Sequence, residues 1–339
     1  MSSLFASIKA ALRGPESPSG NLAGDDEPSG ADAAGLATSA QARSDRPPGK
    51  HHGHVAANSP AAQRRHSPSS VEALELELLL EALFQCHGYD FHGYERQVVE
   101  RKVQSLRKQL ELPTISALQS RVLHHAETYD LLMRTLYVEP ALMFDHASEV
   151  SMLRLALAGL HGAPLPRVWL ADCAGAQQAW TLAILLEQEQ LGARTEIYAT
   201  VASDALLEEA QQATLPMARL TELQGNYVRS GGVGRLLDYF EVSADGTRAV
   251  LLPQLRSRIT WAQYNLVTDA SFNEFQMILG QRALPDFGPA LRRRVLQLFD
   301  DSLAPFGILA LDQPLEDRDP LAQHYKPLLP HQPWYKRMA

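Results

Sequence analysis

A cysteine and two histidines are the residues whose types would most directly support catalysis or metal binding. Cys173 follows the short apolar segment 167–171 and precedes a stretch with helical periodicity. The amino terminus of a helix favours a thiolate, so Cys173 is a candidate nucleophile; the more common role of such a cysteine is that of a small buried apolar residue. His124 and His125 are adjacent and therefore point to different sides of a helix. No HExxH motif and no paired CxxC motif occurs, and we predict no metal site.

Basic side chains are concentrated in one predicted helix, residues 93–110, of a chain whose net charge is −8. Five of them fall within thirteen residues: Arg96, Arg101, Lys102, Arg107 and Lys108. Arg101 and Lys108 are seven positions apart and share a helix face. Two interpretations are open, a docking surface for an acidic partner or a solvated face. Docking by charge would be salt-sensitive and would mainly raise the association rate.

The composition predicts a cytoplasmic protein. The acidic balance of the 339 residues argues against nucleic acid as a partner, because phosphates require a basic face. Two cysteines cannot build a disulfide framework, which indicates a reducing compartment. No apolar run reaches the roughly 20 residues of a transmembrane helix, and the first residues lack the pattern of a signal peptide.

The first 155 residues are predicted to contain three kinds of segment. Residues 1–13 carry an apolar stripe at helical spacing and could form a weak tether to a protein or a membrane surface. Residues 14–70 are rich in Ala, Gly, Pro and Ser and are predicted to be a disordered linker. Residues 71–155 are predicted to form an all-helical domain, with helices at 71–87, 93–110, 114–124 and 126–137.

Residues 160–339 alternate between apolar strands and amphipathic helices. We predict strands at 167–171, 195–200, 240–242, 248–252, 259–264, 275–279 and 307–311, and helices at 176–191, 206–212 and 287–302. Residues 220–240 contain four glycines and are expected to form loops and short elements. Strands that alternate with helices imply an α/β fold with a mainly parallel sheet. In such folds ligands bind at the carboxyl ends of the strands.

Several segments, in this order and spacing, resemble the CheR family of chemotaxis methyltransferases. That family transfers a methyl group from S-adenosylmethionine to glutamate side chains of chemoreceptors. The resemblance implies a Rossmann-like S-adenosylmethionine methyltransferase sheet with a small β-subdomain at about 211–260, preceded by an all-helical N-terminal domain. It covers residues 74–337 and rests on residues 88–102, 168–173, 197–200, 236–240, 256–266 and 303–307.

The positions that match the family's functional motifs have mostly changed type. Asp172 replaces a glycine of the cofactor loop, and Gln177 and Gln178 replace two acids. Val201 stands where the family has an acid for the ribose hydroxyls, and valine accepts no hydrogen bond. The family's N-V-T-x-F-F-R segment corresponds to residues 137–143 and has lost its arginine. The C-R-N-V-L-I-Y-F segment at the reaction centre corresponds to residues 280–287 and has lost its arginine, asparagine and tyrosine.

The resemblance therefore implies a cofactor pocket of which few positions keep a suitable residue. These residual pocket positions are Asp172, Gly175, Gln177, Asn265 and Leu266. Because each lost hydrogen bond weakens ligand binding, we expect no bound cofactor and no catalytic residue. The hypothesis is a degenerate CheR-like protein that acts as a non-catalytic binding or regulatory module. Its partner would be a chemoreceptor or another chemosensory signalling protein, docked on the basic helix.

Two alternatives stay open at this point. The first is an active S-adenosylmethionine-dependent protein-glutamate O-methyltransferase in which Asn265, Gly175 and Arg282 compensate for the losses. Arg282 lies one position after the family's arginine, and a one-residue slip would restore it. The second is a pocket repurposed for another small anionic ligand, bound by Arg282 and the run of Arg292, Arg293 and Arg294. The same run could equally form an exposed helix face.

Overall fold

The computed structural model describes residues 68–137, 139–282, 284–316 and 319–338. The predicted amphipathic segment 1–13, and the predicted linker up to residue 67, lie outside the described residues. The linker prediction extended to residue 70, but the first helix already begins at Pro68. Proline at the first helical position is well tolerated because its missing N–H has no partner there.

The helical part contains α1 (Pro68–His87), α2 (Arg96–Gln109), α3 (Ile115–His124) and α4 (Ala126–Leu136). Each of the four predicted helices is present within a few residues of its expected bounds. Thr114 begins α3, since its side chain accepts a hydrogen bond from the Ala117 N–H at 3.0 Å. The apolar faces form a core that includes Leu79, Val103 and Leu118, all fully buried. A fifth helix, α5 (Ala147–Ala158), leads into the α/β part.

The α/β part is built on a seven-stranded sheet. Its strands are β1 (Arg167–Leu170), β2 (Glu196–Val201), β6 (Ile259–Gln263), β7 (Phe275–Leu279), β8 (Leu303–Ala310), β9 (Tyr325–Pro327) and β10 (Trp334–Arg337). Their order is β6-β2-β1-β7-β8-β10-β9. The first five are parallel, and β10 pairs antiparallel with β8 and β9. The predicted parallel sheet is confirmed, while the last two strands have no counterpart in the sequence prediction.

Helices cover both faces of this sheet, and a small second sheet projects from it. The helices are α6 (Ala176–Gln188), α7 (Asp204–Gln211), α8 (Met217–Arg229), α9 (Pro253–Arg256) and α10 (Pro289–Ser302). The small antiparallel sheet has the order β3-β5-β4, with β3 (Leu215–Pro216), β4 (Phe240–Val242) and β5 (Arg248–Leu251). It falls within the predicted β-subdomain.

Helix α8 shows where the sequence prediction was wrong. Loops were expected from residue 220 onward because of Gly225 and the later glycines, but the segment is helical to Arg229. A glycine inside a helix costs only about 1 kcal/mol. Burial of Leu220, Leu223 and Tyr227 on one face of α8 outweighs that cost.

Trp169 of β1 anchors one face of the large sheet. Its indole N–H donates to Thr200 Oγ1 of β2 at 2.9 Å, and its ring is fully buried. The ring packs against Tyr264, Phe272 and Phe275, with ring centroids 5.2–5.3 Å away. This aromatic cluster fixes the strands whose carboxyl ends form the candidate site.

Candidate functional site

A wide cavity opens at the carboxyl ends of β1 and β2. Its volume is about 420 Å³, and it lies between the start of α6, helix α7 and the small sheet. Asp172, Gly175 and Gln177, three of the residual pocket positions, line it. Val201 at the end of β2 lines it as well. The cavity is therefore where a parallel α/β sheet is expected to bind ligands.

A second, narrow cleft adjoins the wide cavity and contains the other two predicted positions, Asn265 and Leu266. Its volume is only about 10 Å³, roughly the space that one water molecule needs. Tyr137 and Phe287, which are each 5% exposed, line the cleft. Tyr94 lines it too and packs edge-on against Phe287, with ring centroids 5.0 Å apart. In this structure these aromatic side chains leave space for about one water molecule beside Asn265.

The loop after β1 takes its shape from two residues in unusual backbone conformations. Asp172 adopts a left-handed conformation with φ 53°, which aspartate tolerates better than most residues. Gly175 has φ 90° and ψ 178°, a region that is essentially restricted to glycine. A Cβ atom at Gly175 would meet no atom within 4 Å. Backbone conformation, rather than close approach to a neighbour, is thus what requires glycine at position 175.

Asp172 is one of two residues, with Tyr137, that line both the cavity and the cleft. Burial, together with the nearby Asp286 carboxylate, raises the pKa of its carboxyl to about 7, and the Lys102 ammonium opposes this rise. Burial is the main cause that raises the pKa of Tyr94 and of Tyr137, and the charge of Asp172 contributes to both shifts. A carboxyl group that titrates near neutral pH therefore lies at the junction of the two spaces.

Gln177 contacts the position where the family's arginine is lost. Its side-chain oxygen accepts a hydrogen bond from the Met143 backbone N–H at 3.2 Å. The structure thus brings together the positions that, in the resemblance, correspond to an acid and an arginine. Both are uncharged here, so neither replacement leaves a buried charge without a partner. Gln178, at the second acid position, accepts from the Ala174 N–H at 2.7 Å and stabilises the loop.

Asn265 and Leu266 are held within their own loop. The Asn265 side-chain oxygen accepts from the Val267 N–H at 2.9 Å, which forms a local turn. Arg294 of α10 donates to the Leu266 carbonyl at 2.7 Å and to the Asp269 carbonyl at 3.3 Å. The side-chain acceptor of Asn265 is consequently engaged inside the protein.

Cys173 is a small buried residue, which is the second of the two roles considered for it. The residue is 6% exposed, and burial raises the pKa of its thiol to about 12. A thiol with such a pKa is almost entirely protonated at neutral pH and is a poor nucleophile.

The five basic residues predicted to bind a partner have different surroundings. Arg101 and Lys108 lie exposed on α2. Arg96 pairs with Glu77 and donates to the Ala73 carbonyl, so it links α2 to α1. Arg107 donates to the carbonyls of Leu112 and Pro113 and closes the end of α2.

Lys102 differs most from the prediction, because it faces the interior. Its ammonium donates to Asp286 Oδ2 at 2.6 Å, to the Leu136 carbonyl at 2.9 Å and to the Tyr137 carbonyl at 3.2 Å. Only 19% of its side chain is exposed. Lys102 thus contacts two segments that carry cleft-lining side chains. It binds the backbone of Tyr137, and it binds Asp286, the residue before Phe287.

The arginines of the anionic-ligand alternative do not converge on the cavity. Arg282 lines a separate space of about 60 Å³ together with Leu279 and Gln281. Arg294 is bound to loop carbonyls, and Arg293 is exposed on α10. None of these arginines, nor Arg292, lines the wide cavity or the narrow cleft. The alternative of an anionic ligand therefore has no group of arginines around the wide cavity or the narrow cleft to support it.

Sequence reasoning missed two features of this region. The first is the aromatic filling of the cleft, for which the only available indication was that Tyr94 and Phe287 fall within family motifs. The second is Asp312, just after β8, whose two carboxyl oxygens are buried without a hydrogen-bond partner in the described structure. Burial raises the pKa of this carboxyl, and the guanidinium of Arg292 lowers it.

Across the residues that the structure describes, no cluster of three or more His, Cys, Asp or Glu side chains is placed to bind a metal ion. In the same residues, no helix is both long enough and apolar enough to cross a membrane.

Comparison with known proteins identifies the family. Residues 145–314 match the model of the CheR methyltransferase, SAM binding domain, and residues 74–137 match the CheR methyltransferase, all-alpha domain. The chain belongs to the CheR methyltransferase family. A Pseudomonas putida relative that carries the name methyltransferase Cher3 is 32% identical over 239 residues, which are 70% of this chain and 87% of that protein. Chemotaxis protein methyltransferase 1 of Pseudomonas aeruginosa is 24% identical over 76% of this chain and 95% of that protein.

The family's cofactor is S-adenosylmethionine, and the structure locates the CheR motif positions that correspond to its site. Those positions are divided between two spaces: Val201 and Gln177 line the wide cavity, whereas Asn265 and Leu266 line the narrow cleft. Tyr137 and Asp172 stand between the two spaces and line both.

Proposed function

We propose that this CheR-family protein has a degraded cofactor and catalytic site and acts as a non-catalytic binding or regulatory module in a bacterial chemosensory system. The observation that carries the proposal is the narrow cleft, in which Tyr137 and Phe287 reduce the space beside Asn265 to about 10 Å³. An adenosine group needs a preformed pocket many times larger.

The loss of ligand contacts supports the same proposal. The Val201 side chain offers no acceptor to ribose hydroxyls. The hydrogen bond from the Met143 backbone N–H to the Gln177 side chain involves no charged group. Each missing hydrogen bond removes about 0.5–1.5 kcal/mol, and more where a charge is involved. A micromolar site is worth only about 8 kcal/mol, so several such losses together abolish it.

Calorimetry provides the direct test. S-adenosylmethionine and S-adenosylhomocysteine would be titrated into the full chain, with a thermal melt of the same sample to confirm that it is folded. We expect no binding at ligand concentrations up to about 1 mM, an affinity worth only about 4 kcal/mol. Micromolar binding, or transfer of a methyl group to chemoreceptor peptides, would overturn the proposal.

The partner in this proposal is a chemoreceptor or another chemosensory signalling protein, as the names of the chemotaxis relatives suggest. Arg101 and Lys108 form the docking surface, because both are exposed and seven positions apart on α2. Lys102 is omitted, since its ammonium is bound to Asp286 inside the protein. The surface fits an acidic helix, and its contribution to binding falls as salt is added.

A charge-reversal experiment tests this docking surface. Arg101→Glu with Lys108→Glu should weaken binding to an acidic helical chemoreceptor fragment by tenfold or more and reduce its salt dependence. Arg293→Glu on α10 is the matched control, since this exposed arginine lies on another helix. Equal affinities of the double variant and the unaltered chain would exclude this surface.

A further inference from the structure

Helix α1 is apolar on two faces. One face is buried in the helical core and includes Leu76, Leu79 and Leu83. The other carries Val71, Leu74 and Leu78, which are 44%, 58% and 49% exposed. These three residues are spaced three and four positions apart, so they form one continuous stripe along the helix.

Helix α3 extends the stripe into a wider surface. Ser116 donates to Glu75 at 2.6 Å, and Gln119 donates to the Leu78 carbonyl at 3.2 Å, so α3 lies alongside α1. Leu123 follows Gln119 by one helical turn on the same side and is 38% exposed. We call Val71, Leu74, Leu78 and Leu123 the α1 surface.

The charges beside the α1 surface are negative. Glu81 is exposed and Glu75 is half-buried, and helical geometry places them on either side of the stripe, about one turn from Leu78. Glu77 differs, since Arg96 neutralises it. An apolar stripe with one carboxylate on either side is complementary to a helix with an apolar stripe between lysines or arginines.

We propose that the α1 surface binds a basic amphipathic helix of a partner protein. This surface is opposite in charge to the Arg101–Lys108 surface on α2, so the two would select different partners. The inference does not depend on the state of the cofactor site. It adds to the proposed function a second contact, through which the protein would connect an acidic and a basic partner.

Cys86 allows the proposal to be tested on the full chain. Cys86 is exposed on α1, eight positions after Leu78, whereas Cys173 is buried with a pKa raised to about 12. A thiol-directed environment-sensitive dye would therefore label Cys86 alone. The probe is a synthetic 18-residue helix with leucines at i, i+3, i+4 and i+7 between rows of lysines. The control peptide has glutamates in place of the lysines.

We expect saturable binding of the lysine peptide and none of the glutamate peptide. Leu74→Ser with Leu78→Ser should reduce the affinity by about tenfold or more. The matched control is Leu155→Ser with Val228→Ser, because these side chains are 53% and 56% exposed on α5 and α8. Glu75→Gln with Glu81→Gln should weaken binding several-fold and reduce its salt dependence.

Three results would overturn the proposal. Equal binding of the two peptides would remove the role of charge. Equal losses in the test and control variants would show that the stripe has no special affinity. A dimer of the unlabelled chain that Leu74→Ser with Leu78→Ser converts to a monomer would assign the surface to a second copy. The assay contains no cofactor and no chemoreceptor, so its outcome is separate from that of the proposed function.

Discussion

The ammonium of Lys102 and the carboxylate of Asp286 lie 2.6 Å apart and connect the helical part of the protein to the loop after β7. In the family resemblance Lys102 ends the first matching segment, residues 88–102, at a position where the family has an arginine, and Asp286 stands at the tyrosine of the reaction-centre segment 280–287. An ion pair inside the protein therefore occupies a segment that, in the resemblance, corresponds to the family's reaction centre. The same ammonium binds the Tyr137 carbonyl, and Phe287 follows Asp286, so the pair holds the segments of two aromatic residues that line the cleft.

Replacing Lys102 should destabilise the fold. Lys102→Met leaves the Asp286 carboxylate and two backbone carbonyls without their donor. We expect the free energy of unfolding to fall by about 2–4 kcal/mol, measured by urea denaturation. The loss should lie at the lower end of that range. The two side chains are 19% and 20% exposed, so solvent weakens the attraction between their charges.

Arg101 provides the control for that experiment. Arg101→Met removes a neighbouring basic side chain that is exposed, and it should change the unfolding free energy by less than about 0.5 kcal/mol. Adding Asp286→Asn to Lys102→Met should restore part of the stability, since the unpaired carboxylate is gone. Similar losses in the Lys102 and Arg101 variants would contradict an internal role for Lys102.

The stability of the protein should depend on Asp172 in a defined pH range. The pKa of its carboxyl rises from 3.8 to about 7 in the folded state, mainly through burial. The folded state thus keeps a proton that the unfolded state releases, and stability falls as the pH rises from about 4 to 7. Asp172→Asn should raise the melting temperature at pH 8 and change it little at pH 4.

Asp245 offers a comparison of opposite sign. Hydrogen bonds from Ser243 and Thr247 lower the pKa of its carboxyl to about 2. The stabilisation of Asp245 is present above pH 4 and is lost as the pH falls toward 2. Asp245→Asn should therefore lower stability at pH 7 and not at pH 2. Parallel pH profiles for the Asp172 and Asp245 variants would show that the environment of Asp172 is not as described.

The two cysteines should differ sharply in reactivity. In the native protein a disulfide reagent such as dithiobis-nitrobenzoate should modify one thiol, the exposed Cys86, and in denaturant it should modify two. Burial and a pKa of about 12 protect Cys173. Cys86→Ser should abolish the rapid reaction, and Cys173→Ala should leave it unchanged. Rapid modification of two thiols in the folded protein would disprove the burial of Cys173.

Gly175 should be intolerant of alanine for a backbone reason alone. Gly175→Ala meets no steric contact, but it forces a side chain onto φ 90°. We expect a loss of about 1–3 kcal/mol in unfolding free energy. Gly162→Ala is the matched control, because that glycine has no contact within 4 Å and no positive φ. It should be neutral or stabilise by up to about 1 kcal/mol. Equal effects would exclude backbone strain at Gly175.

The periodicity of apolar residues along the chain predicted most of the helices and the parallel strands. Alternation and apolar runs located β1, β2, β6 and β7, and helical spacing located α2, α3, α4 and α10. The same reasoning missed α8, where burial of Tyr227 overrides Gly225. It also missed β9 and β10, whose short segments are strands because they pair with each other and with β8.

The sequence by itself determined the family, the order of the elements and the changes of residue type at the CheR motifs, since all of these are properties of the linear chain. The tertiary structure decided what those residues do. It turned Lys102 inward to Asp286, joined Gln177 to Met143, and filled the space beside Asn265 with Tyr137 and Phe287. The hydrogen bonds join residues that are 34 and 184 positions apart, and Asn265 is separated by 22 positions or more from the aromatic side chains beside it. Such distant contacts arise from packing and charge pairing, which local patterns do not encode.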